Sequence, residues 1–101
     1  MLFVATLTHP PELCLARKEY IEEGKRWIQG LEESAKELGV KIHGAYVSPN
    51  EHTFYFVFDS DSLKAASELL GPPMLTHHSA RLSPVLDFKE VYDLALTFEE
   101  G

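Results

Sequence analysis

Residues 2–8 (Leu2-Phe3-Val4-Ala5-Thr6-Leu7-Thr8) are a short run of apolar and β-prone side chains, and they predict a first strand ended by Pro10-Pro11. Leu13, Tyr20, Trp27, Leu31 and Leu38 then recur at helical spacing, with Cys14, Ile21, Ile28 and Ala35 in the adjacent row. That stripe predicts a helix from about Pro10 to Leu38, with its prolines in the first turn, where an N–H would be unpaired anyway. Gly24 and Gly30 weaken it, and Gly39 is a natural stop.

The pattern changes period after Gly39. Residues 40–48 predict a second strand, Ser48-Pro49-Asn50-Glu51 a hairpin turn, and residues 52–59 a third strand rich in aromatic and β-branched side chains. Ser60 or Asp61 should cap a second helix whose core side is Leu63, Ala66, Leu69 and Leu70, ended by Gly71-Pro72-Pro73. Residues 76–85 predict a fourth strand. Asp87 followed by Glu90 is a capping box for a last helix that buries Val91, Leu94, Ala95 and Phe98.

The order is β-α-β-β-α-β with an extra C-terminal helix, the split arrangement of the α+β, ferredoxin-like fold. Right-handed crossovers leave few other assemblies, and the expected product is one domain over residues 1–101 with a four-stranded antiparallel sheet in the order 4-1-3-2. A chain of 101 residues with 45% hydrophobic and 25% charged side chains buries a core without disulfides or metal. Any bound metal is then expected to be functional rather than a folding requirement.

Charge narrows the partners. Sixteen acidic and nine basic residues give a formal charge of −7, which argues against nucleic acid and against anionic membranes. Cys14 is the only cysteine, so an intrachain disulfide is excluded. Residues 1–7 lack the basic start and the length of a signal peptide. No apolar run approaches the ~20 residues that span a bilayer, and the expected location is cytoplasmic.

Four segments carry a family resemblance: Thr8-His9-Pro10-Pro11-Glu12-Leu13-Cys14, Gly44-Ala45-Tyr46-Val47, Glu51-His52-Thr53-Phe54-Tyr55-Phe56-Val57 and Gly71-Pro72-Pro73. On these the whole chain resembles the dimeric α+β barrel superfamily, and within it small stand-alone domains of uncharacterised function. The resemblance implies packing of two sheets face to face as a homodimer or a higher homo-oligomer. The superfamily includes muconolactone isomerase-like enzymes, cofactor-free monooxygenases, haem-dependent chlorite dismutase-like enzymes and amino-acid-sensing domains. A complete signature of any one of them is not visible, and fold alone does not choose among them.

Strand direction brings the candidate chemistry together. The end of strand one and the starts of strands three and four share one edge of the expected sheet. His9, His52, His77 and His78 fall on that edge, with Cys14 one turn into the first helix at the same end. Alternation puts His9 with Phe3, Ala5 and Leu7, His52 with Phe54, Phe56 and Phe58, and His78 with Ala80 and Leu82, all on the helix-facing side. His77 should point the other way with Ser79, Arg81 and Ser83, unless a bulge near the prolines exchanges it with His78. Imidazole and thiolate are ligands for zinc, copper or iron, so His9, Cys14, His52, His78 and His77 are the candidate metal ligands. Read blandly, Cys14 is a small core residue and the histidines fray at strand ends. A second role for Cys14 is a nucleophilic or redox thiol activated by the helix dipole, opposed by Glu12.

The opposite sheet face carries Thr6, Thr8, Tyr55, Val57, Ser79 and Arg81. Too apolar for water, it should be buried in a dimer or line a cavity, where Tyr55 and Arg81 are candidate contacts for a small-molecule ligand. In the bland reading both are interface groups, and His43 is a surface residue. A Gly-x-Ser-x-Gly turn and a phosphate-cradling glycine loop are both absent. Three functions remain: a metal-binding domain with or without catalytic activity, a cofactor-free small-molecule enzyme or binding domain, and a structural dimer module.

Overall fold

The computed structural model describes residues 1–100; for residues 94, 95 and 97–100 only the backbone is described. The elements run β1 (Leu2–Thr8), α1 (Ile21–Leu38), β2 (Lys41–Ser48), β3 (Thr53–Asp59), α2 (Leu63–His77), β4 (Ser79–Val85) and α3 (Phe88–Glu100), with 3₁₀ turns at Pro11–Leu13 and Pro49–Glu51. The four strands form one antiparallel sheet in the order β2-β3-β1-β4. This is the expected ferredoxin-like order.

Register explains the core. Phe3, Ala5 and Leu7 of β1 stand opposite Phe58, Phe56 and Phe54 of β3 and opposite Pro84, Leu82 and Ala80 of β4. The period-2 pleat sends these side chains to one face, and α1 and α2 cover that face. Phe3, Ala5, Leu7, Phe56 and Phe58 are buried there with Ala35, Val40, Ala66, Leu69, Leu70 and Met74, and Leu15, Trp27, Leu31 and Leu38 pack against them. The other face shows Val4, Thr6, Thr8, Tyr55, Val57, Tyr46, Ser79 and Arg81, with no element over it among the described residues.

The first helix begins later than expected. Residues 14–20 are turns, and α1 starts at Ile21. The reason is a close crossing: a Cβ on Gly24 would lie 3.2 Å from Cβ of Leu15. Leu15 is therefore laid over the first turn of α1, and the connection folds back instead of continuing the helix. Ile21 and Ile28 are exposed, so the buried stripe narrows to Trp27, Leu31, Ala35 and Leu38.

The second helix is longer than expected. It kinks at Gly71 and Pro72, whose backbones are non-helical, and resumes through Met74 to His77. Prolines 72 and 73 supply no N–H to the carbonyls one turn back. Trp27 replaces part of what is lost: its Nε1–H donates to the carbonyls of Leu70 (3.0 Å) and Leu69 (3.3 Å). Ser62, not Ser60 or Asp61, caps the start by accepting from the N–H of Ala65, and Leu63 is exposed, not core.

Asp87 accepts from the N–H of Lys89 at the start of α3. This helix shares no extended packing with the sheet, α1 or α2. Phe88, Val91, Tyr92 and Leu96 are exposed on it, Phe88 at 84%. The expectation that Val91 is buried fails for the single chain, and Leu94, Ala95 and Phe98 lie outside the residues whose side chains are described. The radius of gyration is 16.2 Å, above the ~13 Å of a compact chain of this length, because α3 extends away from the body.

Candidate metal centre

The open end of the β1–β3 pair builds the site. Thr8 is the last paired residue of β1, opposite Thr53. One step further the N–H of His9 donates to the carbonyl of His52 (3.2 Å). The hydroxyls of Thr8 and Thr53 lie 3.3 Å apart, and the Thr53 hydroxyl donates to the Glu51 carbonyl at 2.9 Å. The two histidines are thus held by backbone and hydroxyl contacts before their rings meet.

His9 continues the alternation of Phe3, Ala5 and Leu7, and it is buried, only 5% exposed. His52 departs from alternation. It closes the 3₁₀ turn in the left-handed region, at φ 50° and ψ 45°, a conformation that costs most side chains and that histidine adopts more readily than bulky or β-branched residues. From there its ring comes back over His9. Nδ1 of His52 lies 3.3 Å from Nε2 of His9, with ring centroids 5.1 Å apart.

Cys14 follows the Pro11–Leu13 turn with extended backbone (φ −61°, ψ 130°). It is not in the first turn of a long helix, so the helix-dipole activation expected for its thiol has no structural basis. Its Sγ joins one ring nitrogen each of His9 and His52 in a set whose ligand atoms all lie within 4.8 Å of one another. His9, Cys14, Leu15, Ala16, Val47, Pro49, His52 and Phe54 line a mainly apolar cavity of about 310 Å³.

The other histidines take different places. His78 caps the end of α2. Its ring is perpendicular to that of His9 with centroids 4.7 Å apart, and its Nδ1 is 2.8 Å from the Met74 carbonyl. It stands beside the set of three, not within it. His77 lies in the last turn of α2, not on a strand, and stacks edge-on against Tyr20 at 4.6 Å. The helical course of residues 74–77 replaces the expected strand start, so strand parity does not apply to it. His43 is exposed in the irregular register between Ile42 and Gly44 of β2.

Electrostatics favour the neutral imidazole at His9 and at His78. Burial lowers the pKa of His9, and positive charge on His52 and His77 would lower it further. Burial likewise lowers that of His78, followed by the charge of His9, with the Met74 carbonyl opposing. A neutral imidazole keeps a lone pair for a metal.

On the open sheet face, Thr6 stands between Tyr55 and Arg81 in the strand pairing. Thr6, Thr8, Ser79, Ala80 and Arg81 line a shallow cavity of about 320 Å³, and Tyr55 does not reach its lining. Sequence reasoning missed the Met74 carbonyl, which no local signal announces. It also missed the left-handed turn at His52, for which Pro49-Asn50 was the available sign.

A search of curated proteins gives no match. Among solved structures, a crystal structure of muconolactone isomerase superposes with a TM-score of 0.54 at 17% identity, covering 86% of this chain and 90% of that one. At that identity the likeness establishes the fold, a dimeric α+β barrel fold, and not the chemistry. The sequence itself matches over residues 1–98 the family described as a domain of unknown function, DUF3303, and the chain belongs to that family.

Proposed function

We propose that this chain is a metal-binding domain that holds one transition-metal ion through His9 Nε2, His52 Nδ1 and Cys14 Sγ. The observation that carries the reading is the 3.3 Å separation of the two imidazole nitrogens beside the thiol. Two nitrogens bonded at ~2.0–2.1 Å to a tetrahedral ion lie about 3.3–3.4 Å apart, so the rings already stand at the spacing of ligands. The group's atoms lie within 4.8 Å of one another, against about 3.6 Å for sulfur and nitrogen on one tetrahedral ion, and the Cys14 backbone is a loop that can bring the sulfur in.

Three protein ligands leave a fourth position. Closed structural zinc sites use four protein ligands, whereas catalytic sites keep one position for water or substrate. Here the ligands border the apolar cavity formed with Leu15, Val47, Pro49 and Phe54, which supports an open site for a small, mostly apolar molecule. Zinc suits the set best. Copper is the alternative ion, since two histidines and one cysteine also make electron-transfer copper sites. Metal analysis of protein purified without a histidine tag tests the reading: about one equivalent supports it, and none after incubation with zinc or copper overturns it.

The working unit in this reading is a homodimer. Two surfaces support it: the open sheet face with Val4, Tyr46, Tyr55 and Val57, and the exposed apolar side chains of α3. A second ligand site on the open face is favoured by one observation. Among the described residues Arg81 has no ion pair, and it borders the Thr6–Thr8–Ser79 cavity. A small carboxylate seated there in a crystal would support that reading.

A further inference from the structure

The proposed centre uses one nitrogen of His9 and leaves the other to be explained. Nδ1 of His9 is buried without a hydrogen-bond partner, and so is Nε2 of His78. Such orphans are costly inside a protein, and here they belong to neighbouring rings whose centroids are 4.7 Å apart.

Their chemistry is complementary. His78 Nδ1 lies 2.8 Å from the carbonyl oxygen of Met74. A carbonyl only accepts, so Nδ1 carries the proton and Nε2 of the neutral ring is a bare lone pair. When Nε2 of His9 bonds a metal, its proton must sit on Nδ1. A donor without an acceptor and an acceptor without a donor then belong to neighbouring perpendicular rings. His78 is not counted as a ligand in this arrangement, because it falls outside the group of three whose ligand atoms lie within 4.8 Å of one another, and its Nδ1 is engaged by the Met74 carbonyl.

We propose that His78 is the positioning residue of the metal centre: on loading, its Nε2 accepts the Nδ1–H of His9, completing a chain from metal through His9 and His78 to the Met74 carbonyl. Metal-bound histidines almost always donate their second N–H in this way, which fixes tautomer and ring orientation and raises ligand basicity. The inference rests on the metal reading above. It adds that the kinked second half of α2, which carries Met74 and His78, is part of the site although it supplies no ligand.

Cobalt(II) titration of the untagged full-length chain tests it, with the wild type, His78→Ala and His78→Gln compared. The expected result for His78→Ala is affinity weaker by about 10–100-fold, with unchanged tetrahedral ligand-field bands and unchanged thiolate-to-cobalt absorption. His78→Gln, whose side-chain oxygen accepts a hydrogen bond, should recover part of the loss. Affinity within twofold of wild type in both variants overturns the proposal. A change in the ligand-field bands also overturns it, since His78 would then be a ligand. If the wild type binds no cobalt, the metal reading itself fails and takes this inference with it. Should His78→Ala not fold, as judged by circular dichroism, the glutamine variant and nitrogen-15 spectra of the zinc-loaded wild type decide. In those spectra His9 must show a proton on Nδ1 and His78 a proton on Nδ1 with a hydrogen-bonded, unprotonated Nε2. Any other tautomer pair contradicts the assignment.

Discussion

His9 and His52 are 43 positions apart in the chain, yet Nε2 of one lies 3.3 Å from Nδ1 of the other. Without metal the two rings share one proton in a long hydrogen bond. With metal, both lone pairs face the ion and the thiol of Cys14 must lose its proton, because the thiolate is the ligand. Binding should therefore release about one proton per ion near neutral pH. Calorimetry of zinc binding in two buffers of different ionisation enthalpy measures this; buffer-independent heats would remove Cys14 from the ligand set.

His52 sits in the left-handed region at φ 50°. That conformation costs roughly 1 kcal/mol or more for a side chain with Cβ and nothing for glycine. His52→Gly should thus keep or raise the stability of the metal-free protein by up to about 1 kcal/mol, offset by backbone entropy, while most metal binding is lost. Urea unfolding and metal analysis of the same samples check both halves. A marked loss of apo stability would mean that the ring is a structural side chain and not a ligand held at backbone cost.

The buried histidines set a pH dependence. The pKa values of His9 and His78 lie below the ordinary histidine value in the folded chain. In the unfolded chain both take protons as pH falls past ~6.5, while the folded chain does not until lower pH. The unfolded state then binds more protons, so stability rises with pH through this window. The contribution is complete above the unfolded value and is lost as pH falls toward the depressed folded values. The urea midpoint of the metal-free protein should be lower at pH 5.5 than at pH 7.5; a flat profile would contradict neutral burial.

Trp27 offers a test away from the site. Its Nε1–H is 3.0 Å from the carbonyl of Leu70, a residue 1% exposed, next to the kink of α2. Trp27→Phe keeps most of the apolar contact with Phe56 and removes the donor. Leaving that carbonyl without a donor should cost about 1–3 kcal/mol, read from urea unfolding. A smaller loss would show that water reaches the kink.

The proposed homodimer is tested on the open sheet face. Val57 pairs with Val4 at its centre. Val57→Asp should shift sedimentation equilibrium at micromolar concentration from dimer to monomer, since a carboxylate there would be buried unpaired. A wild-type monomer would count against the assembly, and a dimeric variant would move the interface elsewhere.

The strand order, the core rows and the meeting of His9 with His52 were legible in the sequence, because period-2 alternation and chain direction dictate them. Leu7 and Phe54 share a face by counting alone. What was not legible depends on contacts between distant residues. The delayed start of α1 follows from Leu15 crossing Gly24, and a stripe of apolar positions cannot announce that crossing. The helical turn after Pro73 overrode the rule that Gly-Pro-Pro ends a helix, with Trp27 satisfying carbonyls at the break. That turn moved His77 and His78 off the strand and placed the ring of His78 beside that of His9, outside the group of His9, Cys14 and His52. α3 reads from sequence as an ordinary amphipathic helix, yet it shares no extended packing with the sheet, α1 or α2 among the described residues.

Zinc titration of untagged wild type against His52→Asn, followed by competition with a chromophoric chelator, tests the central claim most directly. Asparagine tolerates the left-handed backbone and lacks the imidazole, so a change in binding reports the ligand and not the turn. The account predicts one zinc per chain for the wild type and little or none for the variant, with matching unfolding curves in the absence of metal. Equal zinc binding by both proteins, or none by either, would contradict it.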